Sequence, residues 1–445
     1  MRYVIAGNSY AAVGAVESIR ARDPHGEIVI ISDEPYRAYS RPLITYWIAG
    51  EVRKDQLDYR PAAWYERNRI QTRLGHRVTQ VDPPNRQVVL EDGEAVAYDR
   101  LLICTGGTPI VPPIEGADAE GVFTMTRFDD ARAFKAWCEQ EHVEAGAIVG
   151  GGLIGLSVFK AMKGVKIKLT LVELLDRVLG LALDHDSSAM IEAALRRAGV
   201  DVRTASGAEA ILKDERGRVR AVRLKGGEEV PCQTVVMAVG VRPNTGLLKE
   251  SGIQINRGVV VNERMETSVP GVYAAGDVAE AYDVVNEQHQ VIAILPLAYE
   301  QGRVAGANMA GGGRVYPGGI ALNSLPIFDL PLMTMGITLT DGHPNPSTGS
   351  GRVLDVLVHS GDGVYRKLVF QGDRLVGAIL VGNVAHGGVL TWLIRSKLPV
   401  THDRQALLTG DPLEIEIARQ LNAVEKSGPW VRRTAAGPAV RERDV

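Results

Sequence analysis

The sequence predicts an α/β protein with two doubly wound parallel-sheet units and a smaller α+β domain behind them, and three observations carry that prediction. A strand, tight turn, helix, strand order occurs twice, at residues 3–31 and again at 147–172. Each unit is followed by a short apolar run that stops beside glycine: Leu101–Cys104 before Thr105-Gly106-Gly107-Thr108-Pro109, and Val235–Val239 before Gly240-Val241-Arg242-Pro243-Asn244. From about residue 316 the glycine-turn-helix pattern gives way to strand-like runs and one short helix. A chain of 445 residues has room for two to four domains at roughly 100–200 residues each.

Taken in order, Tyr3–Ala6 is an apolar run that Gly7 breaks, and Ala11, Ala12, Ala15, Val16 and Ile19 then recur at helical spacing before Gly26 and the β-branched run Ile28–Ile31. Val88-Val89-Leu90 and Leu101–Cys104 supply further strands. The second unit opens on Ala147-Ile148-Val149, passes a glycine cluster into a helix ending at Gly164, and closes on a strand from Lys166 to Val172. Beyond 316 come Pro326–Gly336, a polar loop at Asp341–Gly351, strand-like runs at 353–358, 365–370 and 374–382, and a helix around 388–397. Residues 428–445 mix Pro, Gly and Arg without periodicity and read as a mobile tail.

Composition excludes several classes. Charged residues are 23% and hydrophobic ones 45%, so neither disorder nor a fibrous protein fits. A net charge of −3 supplies no electrostatic footprint for nucleic acid. Cys104, Cys138 and Cys232 lie far apart, which rules out a disulfide framework or a thiolate metal site and makes a reducing cytoplasm the natural compartment. No apolar run reaches the ~18–20 residues of a membrane span, and Gly7 follows Met1 too closely for a signal peptide. The nine histidines show no metal-binding spacing, and His185, between Asp184 and Asp186, reads as a solvated helix start.

The chemistry is concentrated in the turns. Gly150-Gly151-Gly152-Leu153-Ile154-Gly155 follows a strand and opens a helix, with Glu173 at the end of the next strand, 18 residues after Gly155. Gly150 permits the tight turn, Gly152 lets the backbone approach a pyrophosphate at the helix N-terminus, and Gly155 brings helix and strand close. An acid at that spacing accepts from a ribose 2′-hydroxyl and repels a 2′-phosphate, favouring NADH over NADPH. The N-terminal copy, Gly7-Asn8-Ser9-Tyr10-Ala11-Ala12, has Ser9 and Ala12 where the second and third glycines would stand, with Glu34 as its ribose acid and Asp33 as the alternative.

The stretch Thr267-Ser268-Val269-Pro270-Gly271-Val272-Tyr273-Ala274-Ala275-Gly276-Asp277-Val278 resembles the second FAD fingerprint of the pyridine nucleotide-disulfide oxidoreductase superfamily. With the motifs at 5–12, 101–109, 150–173 and 235–244 in the same order, the resemblance covers residues 1 to about 310. It implies two Rossmann-type dinucleotide-binding domains, the second inserted in the first. FAD would be bound by 1–112 and 240–316, NADH by 113–239, and 317–427 would form an interface domain that builds a homodimer. It also implies that Asp277 after Gly276 meets the FAD ribityl chain, that a helix beginning near Leu297 points its N-terminus at the flavin, that Thr105 and Gly106 face FAD, and that Gly240 lies on the NAD side.

Tyr39-Ser40-Arg41-Pro42-Leu43 resembles the rubredoxin reductase, ferredoxin reductase and nitrite reductase flavoprotein branch. Related NADH oxidases, peroxidases and coenzyme A disulfide reductases carry a redox cysteine where this chain has Arg41, so thiol catalysis is not expected. Arg41 is either a contact to the pyrophosphate or flavin or a surface arginine. A lysine and glutamate that some oxygenase-coupled reductases pair near the flavin fall on Tyr46 and Ser157 here. The resemblance thus implies hydride transfer from NADH to FAD and onward passage of electrons to a small redox protein such as rubredoxin or ferredoxin, possible in either direction. The alternatives are an NADH oxidase or peroxide or disulfide reductase, a flavin-containing NADH sensor, and the electron-entry subunit of a larger iron–sulfur enzyme. The polar stretch Asn286–His289 fits either a loop or a site near the flavin.

Overall fold

A computed structural model describes residues 1–165, 167–340, 353–400 and 404–409. The polar loop at 341–351 and the tail at 428–445 lie outside them, as does Lys166. The first sheet has five parallel strands in the order Val272–Ala274, Arg100–Ile103, Arg2–Ala6, Glu27–Ser32 and Ile70–Leu74. Val4, Ile5, Ile28, Ile30, Leu101 and Leu102 are wholly buried, the pattern of parallel strands covered on both faces. A second five-stranded parallel sheet runs Val200–Arg203, Lys168–Val172, Ala145–Val149, Thr234–Met237 and Val122–Phe123.

The chain leaves the first sheet after Ile103 and re-enters it only at Val272, so the second sheet is inserted in the first. The outgoing and returning segments pair antiparallel, Gly107–Pro109 against Val241–Pro243. The two similar glycine-ended motifs are therefore hydrogen-bonded to each other. This corrects one expectation: the apolar run from Val235 is not one buried strand, because it stops at Met237 and Val239 is exposed. Val88–Leu90 belongs to a separate antiparallel sheet, Gln87–Leu90 between Val78–Asp82 and Ala95–Ala97.

The C-terminal part is a five-stranded antiparallel sheet in the order Leu322–Ile327, Leu330–Gly336, Arg374–Val381, Val364–Gln371 and Asp355–Gly361, with the helix Gly387–Ser396 packed on it. Its other face meets the inserted unit. Tyr365 donates its hydroxyl to Asp184 (2.6 Å) and Lys367 its ammonium to the same carboxylate (3.0 Å).

Two helices hold the site in place. Tyr10–Arg20 crosses Leu295–Met309, which begins two residues before the expected Leu297, with Pro296 in its first turn. A β-carbon on Gly302 would lie 2.0 Å from the Ala11 carbonyl oxygen, and one on Gly306 2.3 Å from that of Ala15. Backbone thus touches backbone along Ala11-x-x-x-Ala15 and Gly302-x-x-x-Gly306, a spacing legible in the sequence that the motif analysis passed over.

Candidate functional site

Both glycine turns are built the same way. Gly7 has φ +123° and donates its N–H to Ile31 O at 2.7 Å; Gly150 has φ +110° and donates to Val172 O at 2.8 Å. A β-carbon on Gly7 would lie 2.2 Å from Cys104 O, and one on Gly150 2.5 Å from Ala238 O. No side chain fits at either place, because the turn is pressed against the residue that follows the neighbouring strand. At the third position a β-carbon on Gly155 would lie 2.0 Å from Gly150 O, while Ala12 is fully buried in the first copy. At the second, a β-carbon on Gly152 would meet nothing within 4 Å, and Ser9, at the cap of its helix, makes no side-chain capping bond. The helix Leu153–Gly164 therefore opens, at Gly152, onto free space, and the first-turn N–H groups of both it and the helix Tyr10–Arg20 lack intrahelical acceptors. That is an anion cradle, and it fits the pyrophosphate of a dinucleotide.

The three acids have acquired protein partners. Glu173 accepts from Gly151 N–H (2.5 Å) and Leu175 N–H (2.7 Å), so it ties the glycine loop to the following segment. Glu34 accepts from the Tyr39 hydroxyl (2.6 Å) and from Arg41 Nη2 (2.6 Å), while Asp33 pairs with Arg127 at 2.7 Å. A carboxylate has about four acceptor positions, so two bonds leave room for a ligand hydroxyl.

Arg41 is fixed from three sides: by Glu34, by the Tyr39 hydroxyl (3.3 Å) and by Thr126 O (2.7 Å). It is not a free surface arginine. Pro42 caps the helix Leu43–Ile48, and no side-chain bond is made there. Across from Arg41 stands Asp277. Burial pushes its carboxyl up from the ordinary value and the Arg41 charge opposes that shift. Its carboxylate makes no hydrogen bond to any described residue, whereas neighbouring Gly276 is held by Gln301, whose side-chain oxygen accepts from its N–H at 2.8 Å. Gly276 has φ +79°, and a β-carbon there would touch Ala11 and Ala298 at 3.5 and 3.4 Å, which places Asp277 beside the Gly7 turn and the start of the Leu295–Met309 helix, where Leu297 is buried.

Thr105 and Gly106 are clasped by Asn244. Its Nδ2 donates to Thr105 O at 2.9 Å, its N–H donates to Gly106 O at 2.9 Å, and its own carbonyl accepts from the Thr105 hydroxyl at 3.1 Å. Gly240, with φ +128°, accepts from Ile110 N–H at 2.9 Å. Both belong to the double crossing between the sheets.

The thiols are remote in reactivity. Burial pushes Cys104, Cys138 and Cys232 each up to about 12. Only Cys104 touches the site, its sulfur 3.8 Å from Gly7 O behind the turn. Ser157 bonds back to Ile154 O. Three residues on, Lys160 lies 3.5 Å from the Tyr46 ring centre and pairs with Glu51 at 2.7 Å, a cross-unit contact that motif analysis missed. Asn286 and Gln290 donate to the buried Asp283, so 284–287 is the turn of a hairpin and Gln288 and His289 lie in its second strand, Gln288–Gln290. His185 opens the helix His185–Arg197 in solvent, and no cluster of metal-ligating side chains occurs among the described residues.

Residues 1–302 match the pyridine nucleotide-disulphide oxidoreductase family. The chain is 30% identical to the nitrite reductase [NAD(P)H] of Bacillus subtilis (strain 168), over 94% of its own length and 50% of that protein, and so spans about half the length of that relative. It is 34% identical to an NADH oxidase of Methanocaldococcus jannaschii over 86% of this chain and 88% of that one. The solved structure of a covalent putidaredoxin reductase–putidaredoxin complex superposes with a TM-score of 0.84 at 26% identity, covering 95% of this chain and 99% of that one. The match over two thirds of the length agrees with the paired glycine turns and the inserted sheet: the chain belongs to the pyridine nucleotide-disulphide oxidoreductase family.

Proposed function

We propose that the chain is an NADH:acceptor oxidoreductase that passes electrons to a small redox protein of the rubredoxin or ferredoxin kind. In this reading residues 1–112 and 240–316 hold FAD, residues 113–239 hold NADH, and residues 317–427 pair two copies. FAD, when bound, accepts a hydride from NADH and releases electrons onward. The observation that carries the assignment is Asp277: a half-buried carboxylate that no described residue hydrogen-bonds, raised by desolvation against the opposing charge of Arg41 and set beside Ala11 and the helix start at Ala298. A carboxylate partly withdrawn from water is stabilised by a hydrogen-bond donor, and a ribityl hydroxyl would supply one.

The chain's own groups do the rest by position. Gly7, Ser9, Tyr10, Ala11 and Ala12 receive the FAD pyrophosphate, with Glu34 toward its ribose. Arg41 and Pro42 line the flavin side, and Thr105 and Gly106 close it. Gly150, Gly152, Leu153, Ile154 and Gly155 receive the second pyrophosphate, and Gly240 borders it. Glu173, set beside that loop, favours a ribose 2′-hydroxyl over a 2′-phosphate, hence NADH. The one arginine of the segment after Glu173, Arg177, is buried and donates to Leu183 O and Asp176, so it is not presented to a 2′-phosphate.

Three unpaired buried cysteines suit a reducing compartment, and no helix among the described residues is long and apolar enough to cross a membrane. The likeness to a putidaredoxin reductase supports a protein acceptor. The likeness to an NADH oxidase favours a second reading, oxygen as acceptor. The test is steady-state NADH oxidation with reduced oxygen, with and without rubredoxin or ferredoxin. Rates at least tenfold higher with the redox protein support the proposal; an oxygen-dependent rate that neither protein raises sinks it.

A further inference from the structure

The short helix Leu43–Ile48 belongs to the first unit but is held by the inserted one. Six residues are too few for a helix to persist in water by itself, so its place depends on what packs against it. Ile44 and Ile48 are buried in one cluster with Phe128, Leu156 and Phe159 of the inserted unit. Its two aromatic side chains, both partly exposed, are each covered by a lysine from that unit. Lys160 lies 3.5 Å from the centre of the Tyr46 ring, and Lys135 5.0 Å from that of Trp47. The exchange is reciprocal: Lys54 of the first unit lies 5.8 Å from the Phe128 ring, on which Trp47 packs edgewise at 5.0 Å. Lys160 also pairs with Glu51, whose N–H bonds Tyr46 O just past the helix end. There backbone meets backbone, since a β-carbon on Gly164 would lie 2.4 Å from Ala49 Cα.

Both helices that meet at Lys160 lead back to a proposed cofactor cradle. Leu43–Ile48 continues directly from Arg41 and Pro42: Ile44 N–H bonds Arg41 O at 3.2 Å, and the Thr45 hydroxyl bonds Pro42 O at 3.2 Å. Leu153–Gly164 continues from the Gly152 turn, and at ~1.5 Å per residue Lys160 stands ~12 Å along it. The contact of Lys160 with Tyr46 therefore fixes the segment after Arg41 relative to the second glycine turn. A cation over an aromatic face is a contact that an uncharged chain of the same length does not reproduce. Hydride transfer is the step most sensitive to such placement, because the reacting atoms must approach to ~3–3.5 Å and an error of ~1 Å slows the step ~100-fold.

We propose that Lys160 and Lys135 are positioning residues for hydride transfer, an inference that rests on the FAD and NADH assignment above. Through Tyr46 and Trp47 they hold the helix after Arg41, so that a nicotinamide carried by the inserted unit meets the flavin at reacting distance. They act through those two rings and not on the reacting atoms.

Two measurements on the full-length chain test this. In the flavin-free protein, hydrogen exchange followed by mass reads the N–H groups of Ala49, Gly50 and Glu51, which bond Thr45 O, Trp47 O and Tyr46 O. Lys135→Met and Lys160→Met together should speed their exchange at least tenfold. In the FAD-loaded protein, anaerobic stopped-flow with NADH, and with NADH deuterated at the transferred position, reads the limiting rate of flavin bleaching. The double variant should bleach at least tenfold more slowly, with FAD per chain unchanged, NADH affinity within threefold and an isotope effect at least as large. Lys160→Arg, which keeps a cation able to stack on the ring, should bleach within twofold of the unmodified protein, and Lys160→Met at least threefold more slowly. Unchanged exchange or an unchanged limiting rate in the double variant overturns the proposal, as does equal slowing in Lys160→Arg and Lys160→Met. If the double variant does not retain FAD, Tyr46→Leu decides: a limiting rate equal to that of the unmodified protein overturns the proposal, and a slower one supports it. Failure of NADH to bleach the unmodified, FAD-loaded protein overturns the cofactor reading and this inference with it, whereas normal bleaching that ignores both lysines overturns this inference alone.

Discussion

At the scale of single residues, Glu173 does two things at once. Its carboxylate accepts from the N–H groups of Gly151 and Leu175, so it shapes the glycine loop, and in the proposed reading it also meets the nucleotide ribose. Charge-assisted bonds of this kind contribute about 1.5–3 kcal/mol. Glu173→Ala should therefore lower kcat/KM for NADH by 10- to 100-fold and reduce Tm, while NADPH, freed from repulsion, should lose less. Steady-state kinetics with both nucleotides check this; an equal fall for both would make Glu173 a loop brace only. The cysteines give a second prediction. Their thiols, pushed up to about 12 by burial, stay protonated near pH 8, and the thiolate is the reactive form. Iodoacetamide should leave the folded protein unmodified by mass, and the protein with Cys104, Cys138 and Cys232 all changed to alanine should keep most turnover with an artificial one-electron acceptor. The absence of a thiol at residue 41 was legible in the sequence. The three-sided hold on Arg41 was not, because Thr126 O lies 85 residues away and reaches it only through the fold.

Among the elements, the crossing of Tyr10–Arg20 with Leu295–Met309 joins the two chain segments that the inserted sheet separates. Its closeness depends on glycine: at Gly302 a β-carbon would lie 2.0 Å from a carbonyl oxygen of the partner helix. Gly302→Val must push the helices apart, and overpacking of this kind destabilises by about 1–3 kcal/mol or more. Asp277 and the Gly7 turn border this crossing, so the variant should also lose flavin; Tm and flavin content per chain measure both. The helices and parallel strands were readable from apolar periodicity, since both faces of each sheet are covered. The pairing of Gly107–Pro109 with Val241–Pro243 was not, because each segment alone reads only as a strand stopping at glycine, and its partner lies more than a hundred residues away.

Across the whole molecule, the inserted unit is tied to the C-terminal sheet by Asp184, which the sequence marked only as a neighbour of a helix-start histidine. Burial alone would raise its carboxyl, but bonds from Ser187, Tyr365 and Lys367 outweigh burial and hold it below the ordinary carboxylate value. The fold therefore favours the ionised form. Its contribution is complete at neutral pH and is lost as the pH falls through the usual carboxylate value of ~3.9 and below it. Lys367→Met should leave the Asp184 charge without its buried partner and reduce stability by about 3–5 kcal/mol near pH 7, with a smaller penalty near pH 4. Thermal unfolding at the two pH values checks the sign, and a penalty that grows with acid would refute it. The central claim is that electrons leave directly from a flavin held at Asp277, with no thiol between. Anaerobic titration of the FAD-loaded protein with NADH, followed by absorption, tests it most directly. The account predicts bleaching of the flavin's visible band by one NADH per FAD, with no long-wavelength thiolate–flavin band during reduction; uptake of two NADH per FAD, or the appearance of that band, would contradict it.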